Sequence, residues 1–433
     1  MNLKDFYPEE IKPSYESHNE NQLGGDVFAS VEEIEETAEE KLAAASVALD
    51  DLEKAEKSIE QMDKVAGVAT TAIKNGETDE ATLAVINAAF ESVAASIDYP
   101  VTLTVSSEDL TDTSLAAESV TERAKEFGKN VWEAIKRAIA AVADAVTKAI
   151  AWVKRKVGIY KKAFDSLEKE YKEFGKPKEE KVTVSVPGPV QVYATIAGAD
   201  ITGGKLAFST YTKYFDDVST SYEKVADTLK GMKPGDAKEA VKAVKDGKTT
   251  PAPVEGLLAA ATDGSPISKH EVEGAKPFAV RARGIYTVSA DKGVAMVSAS
   301  DLKDFKDVFK AATTDGKVEA ATPEVGDVLK VLSVGKDALA FYEKNVDDVY
   351  KALKEASKSA KELSKAAKEE DEDTKKAVKV MVADIRAFLR AAPAVMYQGL
   401  DLTNTSIKVA KTFKAAYEKG DGKKEEKKEG EEK

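Results

Sequence analysis

From Val131 to Leu167 apolar residues recur in steps of three and four without a break: Val131, Ile135, Ala138, Val142, Val146, Ala149, Val153, Val157, Tyr160, Phe164 and Leu167. That spacing puts every one of them on one face of an α-helix. It predicts a long helix over 119–174, with Gly158 as a candidate break. The other faces carry Lys136, Arg137, Lys148, Lys154, Arg155, Lys156, Lys161 and Lys162, and both tryptophans of the chain, Trp132 and Trp152, lie in the same stretch. Such a helix can pack in a core with a solvated basic face, or lie on a membrane or an acidic partner; further helices are expected on either side of it.

Two are legible on its N-terminal side. The run 31–68 has helical periodicity and opens with many acids, which suit a helix N-terminus. A second helix fits 79–97 behind Thr78, and Pro100 stops it. VTLTV (101–105) reads as a short strand, and residues 1–30, with Pro8, Pro13, Gly24 and Gly25, read as an unfolded leader.

The C-terminal third is helical again. Leu332, Leu339, Val346, Leu353 and Ala360 are seven apart, and Gly335, Tyr342, Val349, Ala356 and Leu363 form a second series offset by three. This is a heptad seam weakened by Gly and Ala, which favours a hairpin within the chain over a free coiled coil. The loop KEEDEDTKK joins it to a helix over 377–392, apolar at Val378, Val382, Ile385 and Leu389. Pro393 is expected to kink or end that helix. A last helix covers 402–418, and the charged tail after it reads as disordered.

The middle has another texture. VTVSV (182–186), VQVYATIAG (190–198), FAVRARGIYTVSA (278–290) and VAMVSAS (294–300) alternate as strands that could pair into one small sheet, with turns at 187–189 and 291–293. Short helices are expected at 215–229, 234–244 and 254–262. The architecture expected is mainly α with a central α+β domain, long amphipathic helices and a C-terminal helical hairpin or bundle. Its divisions are 1–118, an acidic and partly helical leader; 119–175, the basic amphipathic segment; 182–325, the α+β domain; 326–418, the helical hairpin or bundle; and 419–433, the tail.

Charge divides the chain at the same place. Residues 1–118 hold 27 acids and 7 bases, and residues 119–433 hold 50 and 57, so a net of −13 conceals a strongly acidic part and a mildly basic one. An acidic segment of this kind can shield a basic one until it is removed; the plainer reading is an acidic helical domain beside a near-neutral one.

The residue inventory excludes much chemistry. There is no Cys, so disulfides and thiolate sites are out. Two histidines, His18 and His270, cannot form a multi-histidine metal centre. No phosphate-binding glycine loop, dinucleotide fingerprint or Gly-x-Ser-x-Gly elbow occurs, and EDED (370–373) lacks the glycine and spacing of a calcium loop. No catalytic, cofactor-binding or metal-binding residue is assigned, and no enzymatic activity is expected. MNLKDFYPEE has no secretory pattern and no run reaches a membrane span, so a soluble product made in a cytoplasm is expected.

The layout of residues 1–175 resembles the internal head proteins of large tailed bacteriophages. Four features carry the likeness: the acidic leader, the absence of Cys, the helix KNVWEAIKRAIAAVADAVTKAIAWVKRKVGIYKK, and the charge step at Ala116-Ala117-Glu118 followed by Ser119. The resemblance implies a propeptide cut by a prohead protease after Glu in a small-x-Glu sequence. Ala116, Glu118 and Ser119 are then the candidate cleavage residues. Ser30-Val31-Glu32, Ala38-Glu39-Glu40, Ser58-Ile59-Glu60 and Ser106-Ser107-Glu108 fit as well. It further implies a location inside the phage head and, as partners, the prohead protease, packaged double-stranded DNA bound weakly and without sequence preference, and capsid or scaffold proteins. Candidate phosphate contacts are Lys136, Arg137, Lys154, Arg155, Lys156, Lys161 and Lys162. The alternative is a membrane-active or partner-binding protein that lays its Trp-bearing cationic helix on a membrane surface or an acidic partner. An enzyme with its site in 182–325 is the third reading.

Overall fold

The computed structural model describes residues 27–76, 80–95, 113–199, 205–231, 237–247, 276–281, 284–289, 293–298, 317–366 and 371–419. The leader before residue 27, the strand expected at 101–105, the helix expected at 254–262 and the tail from 420 lie outside the described residues.

Helices dominate. Among the described residues they are α1 (Val27–Lys74), α2 (Glu80–Ala95), α3 (Thr113–Glu173), α4 (Gly188–Ile196), α5 (Phe208–Gly231), α6 (Ala237–Lys245), α7 (Val325–Ala366) and α8 (Glu372–Phe413). The strands are short: β1 (Phe174–Pro177), β2 (Lys181–Ser185), β3 (Lys205–Leu206), β4 (Lys276–Arg281), β5 (Gly284–Ser289), β6 (Gly293–Ser298), β7 (Lys317–Ala321) and β8 (Tyr417–Lys419). The protein is mainly α, as its periodicity implies.

At 61 residues α3 is a rod about 90 Å long. Its seam is the stripe read from the sequence, extended at both ends: Val120, Phe127, Val131, Ile135, Ile139, Val142, Val146, Ile150, Val153, Val157, Tyr160, Phe164, Leu167 and Tyr171 are all buried. Ile139, not Ala138, takes the central position at that turn. From Val131 to Tyr171 the mean step is about 3.6 residues, the α-helical repeat itself, so the face does not drift round the rod. Gly158 interrupts nothing: apolar packing on either side outweighs the ~1 kcal/mol a glycine costs in a helix.

Among the described residues α1 and α7 cover most of the seam, and α8 meets its C-terminal end. α1 runs along α3 and buries Leu49, Leu52, Ala55, Met62, Ala69 and Ile73. α7 packs along α3 and, antiparallel, along α8. Every member of both heptad series from Leu332 to Leu363 is buried or, at Gly335, in close contact with α8. The seam thus closes within one chain, because α3 and α8 supply the knobs a partner chain would otherwise bring.

The C-terminal helix departs from expectation. α8 is one helix of 42 residues running through 393, not two helices broken there. A proline forfeits one intrahelical hydrogen bond, at a cost of ~3 kcal/mol. The burial of Leu389, Ala391, Ala392, Val395, Met396 and Leu400 on either side offsets it. Asp371 caps the helix N-terminus: its carboxylate accepts from Thr374 N at 2.7 Å and from Thr374 Oγ1 at 2.9 Å. The cap sits inside the acidic stretch read as a loop. Beyond Phe413 a single 3-10 turn leads into β8, so the helix expected to reach 418 ends earlier.

Among the described residues the strands make three small sheets rather than one. β2 pairs antiparallel with β7, β7 pairs parallel with β3, β4–β5–β6 form an antiparallel meander, and β1 pairs with β8. The run 190–198 is α4, not a strand. Pro189 falls in the first turn, where its missing N–H is unneeded, and the buried Val190, Tyr193 and Ala194 stand at i, i+3 and i+4. The run 278–290 holds two strands, reversing between Arg281 and Gly284 with no Asn-Gly or Asp-Gly pair to announce it. Aromatics tie the ends together: Tyr171, Phe174 and Tyr417 contact one another with ring centres 5.2–5.4 Å apart. Tyr171 donates to the Ala410 carbonyl at 2.6 Å across α3 and α8. Tyr171→Phe is expected to lose about 0.5–1.5 kcal/mol, read as a lower urea midpoint at unchanged slope.

Candidate functional surface

The candidate chemistry of this chain is charge, and the first question is what each charge faces. On α3, Lys154 meets Asp347 of α7 at 2.5 Å and Lys161 meets Glu343 at 2.9 Å. Lys336 of α7 meets Glu168 at 2.9 Å and Asp165 at 3.5 Å on α3. The partners step by seven along α3 (154, 161, 168) and back along α7 (347, 343, 336), an antiparallel ladder beside the apolar seam. Exposed pairs contribute roughly 0–1 kcal/mol each. Their effect here is mainly to fix the register of two long rods.

The other candidate phosphate contacts on α3 are partly committed as well. Lys136 pairs with Glu133, and the Nε groups of Arg137 and Arg155 donate to the carbonyls of Glu133 and Ala151 at 3.3 Å. Lys156 lies over the Trp152 ring, 5.9 Å from its centre. Lys162 is exposed. The seven do not converge on one surface: Lys154 and Lys161 point to α7, the rest along α3 or outward. Trp132 and Trp152 pack against the core, and the apolar face that a membrane would take is occupied by α1 and α7.

The candidate cleavage residues 116, 118 and 119 lie in the first two turns of α3, and Glu118 is exposed. A helix does not present an extended backbone to a protease, so a cut there requires these end turns to open, as helix ends do most readily.

A second charged interface was overlooked in the sequence. The Nη2 of Arg390, on α8, meets Glu53 of α1 at 2.6 Å, and Lys379 meets Glu60 at 3.6 Å. Lys57 also holds Glu53, at 2.9 Å. Glu53 is pulled below the usual carboxylate range, first by the Lys57 hydrogen bond and further by Arg390, Lys57 and Arg386, against an opposing burial effect. The Arg390 side chain is only 15% exposed, and its Nε is buried without a hydrogen-bond partner among the described residues. The signal was present as Lys375, Lys379, Arg386 and Arg390 at helical spacing, but such a row normally reads as a solvated face.

The other overlooked feature is polar and buried. Gln398, Asp401, Thr403, Asn404, Thr405 and Ser406 are all buried in α8. Thr403 Oγ1 donates to the Gly399 carbonyl at 2.9 Å and Ser406 Oγ to the Thr403 carbonyl at 2.8 Å. Both ends of the Gln398 and Asn404 amides lack partners among the described residues. Nearby, Tyr222, Phe341, Tyr342, Val346, Val395 and Met396 line an apolar cavity of ≈ 20 Å³, room for about one water. No group of three or more metal-ligating side chains occurs among the described residues, and no helix among them is long and apolar enough to cross a membrane.

Burial raises the Asp384 carboxyl on α8 to about 6. A carboxyl raised on folding penalises the folded state once it ionises. Stability is therefore greatest below about pH 4 as far as this group is concerned, and falls as pH rises towards about 6. Asp384→Asn is expected to raise the urea midpoint at pH 8 and leave it nearly unchanged at pH 4; an equal shift at both would exclude titration as the cause.

These features define a mainly α protein of long amphipathic helices, clamped by apolar seams and by ion pairs between them. The sequence profile of the phiKZ-like phage internal head proteins matches residues 26–429, and the chain belongs to that family. The match takes in α1 as well as the body, and it places the protein in the interior of the phage head. Comparison with curated proteins and with solved structures found no match to either.

Proposed function

We propose that this protein is a non-catalytic structural component of the head, packaged with the DNA, and that its acidic N-terminal part is a propeptide cut by the prohead protease. The observation that carries this reading is the position of α1. The acidic segment lies on the body of the protein, and Glu53 and Glu60 pair with its cations Arg390 and Lys379. During assembly it keeps a chain of net −13 from engaging polyanions; without residues 1–118 the balance reverses to 50 acids and 57 bases.

One cut after Glu118 severs α1 from α3 but does not undo the apolar contacts between them. Release follows from further cuts inside α1, where the small-x-Glu sequences ending at Glu32, Glu40 and Glu60 divide a 48-residue helix into pieces with too few contacts to stay docked. Capsid or scaffold proteins are the neighbours that then meet the uncovered face of α3.

The test is the N-terminus and intact mass of the protein from purified virions, by mass spectrometry. A chain starting at Ser119, or just after another of the small-x-Glu sequences, is expected. A chain that keeps residues 1–118 in the mature head overturns the propeptide.

A further inference from the structure

Lys375, Lys376, Lys379, Arg386 and Arg390 recur along α8 at steps that keep them within one stripe, about 22 Å long. We propose that this stripe, rather than the basic face of α3, is the phosphate-binding surface of the protein, that its ligand is double-stranded DNA, and that Glu53 and Glu60 of α1 stand in the place of phosphates until α1 is removed. The proposal rests on the head-interior and propeptide reading for its biological setting, though not for its chemistry.

Three observations carry it. The stripe is linear, as a duplex backbone is, and its length spans several successive phosphates. Its two residues under α1 are already engaged by carboxylates in the manner of an anion site: Arg390 at 2.6 Å by Glu53, Lys379 at 3.6 Å by Glu60. And the Arg390 guanidinium is half used. Glu53 takes Nη2 and leaves Nε buried with no partner among the described residues, whereas a phosphate group accepts two parallel N–H donors from such a fork. On α3, by contrast, Lys154 and Lys161 are held by Asp347 and Glu343 of α7, which the loss of α1 does not disturb.

The test uses the full-length chain and a 30-base-pair duplex of mixed sequence, with binding followed by fluorescence anisotropy over a salt series. The wild-type chain is expected to bind weakly. Glu53→Gln with Glu60→Gln is expected to tighten binding roughly tenfold at low salt and to steepen the salt dependence by up to about two units of slope, the yield of two further phosphate contacts. Adding Arg386→Gln and Arg390→Gln is expected to cancel the gain, and Lys154→Gln with Lys161→Gln to leave it intact. No gain on removing the two carboxylates overturns the proposal, as does a gain that survives loss of the arginines.

If the double carboxylate variant fails to fold, arginine-directed labelling of the Glu53→Gln chain, in which Arg390 is released from its carboxylate, decides instead. DNA is expected to protect Arg386 and Arg390; protection of Arg137 and Arg155 alone overturns the assignment. Displacement of the duplex by polyglutamate as readily as by DNA of equal charge identifies an acidic protein segment as the ligand and also overturns it. The virion mass measurement is separate. A chain found processed in virions but without the binding gain loses this surface and keeps the propeptide, and an unprocessed chain with the gain does the reverse.

Discussion

A body made without residues 1–118 is expected to lose on the order of 6–12 kcal/mol of apolar burial. The figure comes from four large side chains of α1 that are buried against the rest of the protein, Leu49, Leu52, Met62 and Ile73, at roughly 1.5–3 kcal/mol each. It is an upper value, because an unfolded chain already hides part of its apolar surface. The loss falls on α3, whose seam from Val120 to Tyr171 then faces water along the side that α1 covers. Fragment 119–433 is expected to bind a hydrophobic dye, to self-associate, and to unfold at a lower urea concentration than the full chain. A full chain cut by an inserted protease site between residues 95 and 113 is expected to behave otherwise. It should elute as one species at 0.15 M salt, with α1 still docked. A fragment as stable as the full chain, with no dye binding, would mean that α1 adds nothing to the fold. If the proposed processing removes α1, an exposed seam of this kind needs another cover, and we propose that a neighbouring protein of the head provides it.

Phe164→Ala is expected to cost about 3–5 kcal/mol, the usual figure for removing a fully buried ring. Phe164 sits where α3, α7 and α8 meet around Gly335. At Gly335 of α7 a Cβ would stand 2.6 Å from Ser406 Cβ, 1.9 Å from Ser406 Oγ and 3.0 Å from the tip of Phe164. Gly335→Ala at the same crossing is expected to destabilise by about 1–3 kcal/mol, although alanine is otherwise the better helix former. The two changes should not cancel. The closer obstacle to a Cβ at 335 is the Ser406 side chain, Oγ and Cβ, so the space left by Phe164 does not admit it. Ser406→Gly should rescue Gly335→Ala in part, where Phe164→Ala does not. Urea midpoints of the single and paired variants decide this, and full rescue by Phe164→Ala would show that the ring, not Ser406, sets the helix spacing.

The basic helix and the heptad series were legible because periodicity is a local property. A residue at i and another at i+7 share a face whatever lies opposite, so the seam of α3 and the buried faces of α7 and α8 could be named from the sequence. The family resemblance was legible for a related reason, since it rests on the layout of charge and helix along the chain, and the family profile bears it out. Single punctuating residues misled. Gly158 and Pro393 are helix breakers in isolation, yet α3 and α8 run through both positions because neighbouring helices supply more packing energy than the local penalty. Short strands such as β7 (KVEAA) carry too few residues for a pattern, and their pairing with β2 and β3 depends on partners about 110–140 residues away in sequence.

The candidate surface divides in the same way. That α3 is cationic, and that residues 1–118 are acidic, is composition and needs no structure. Which cations are spent within the chain is not composition. Lys154 and Lys161 look identical in sequence to any solvated lysine, and only the antiparallel register of α3 with α7 sets them against Asp347 and Glu343. Nor can sequence bring Glu53 to Arg390 across 337 residues, with one carboxylate on half of a buried guanidinium. The sequence by itself determined helix, face and total charge, because each follows from residues a turn or two apart. The tertiary structure alone decided which charges are neutralised and which stay available, because Coulomb attraction at 3 Å depends on distance in space, and that is set by which seams close on one another.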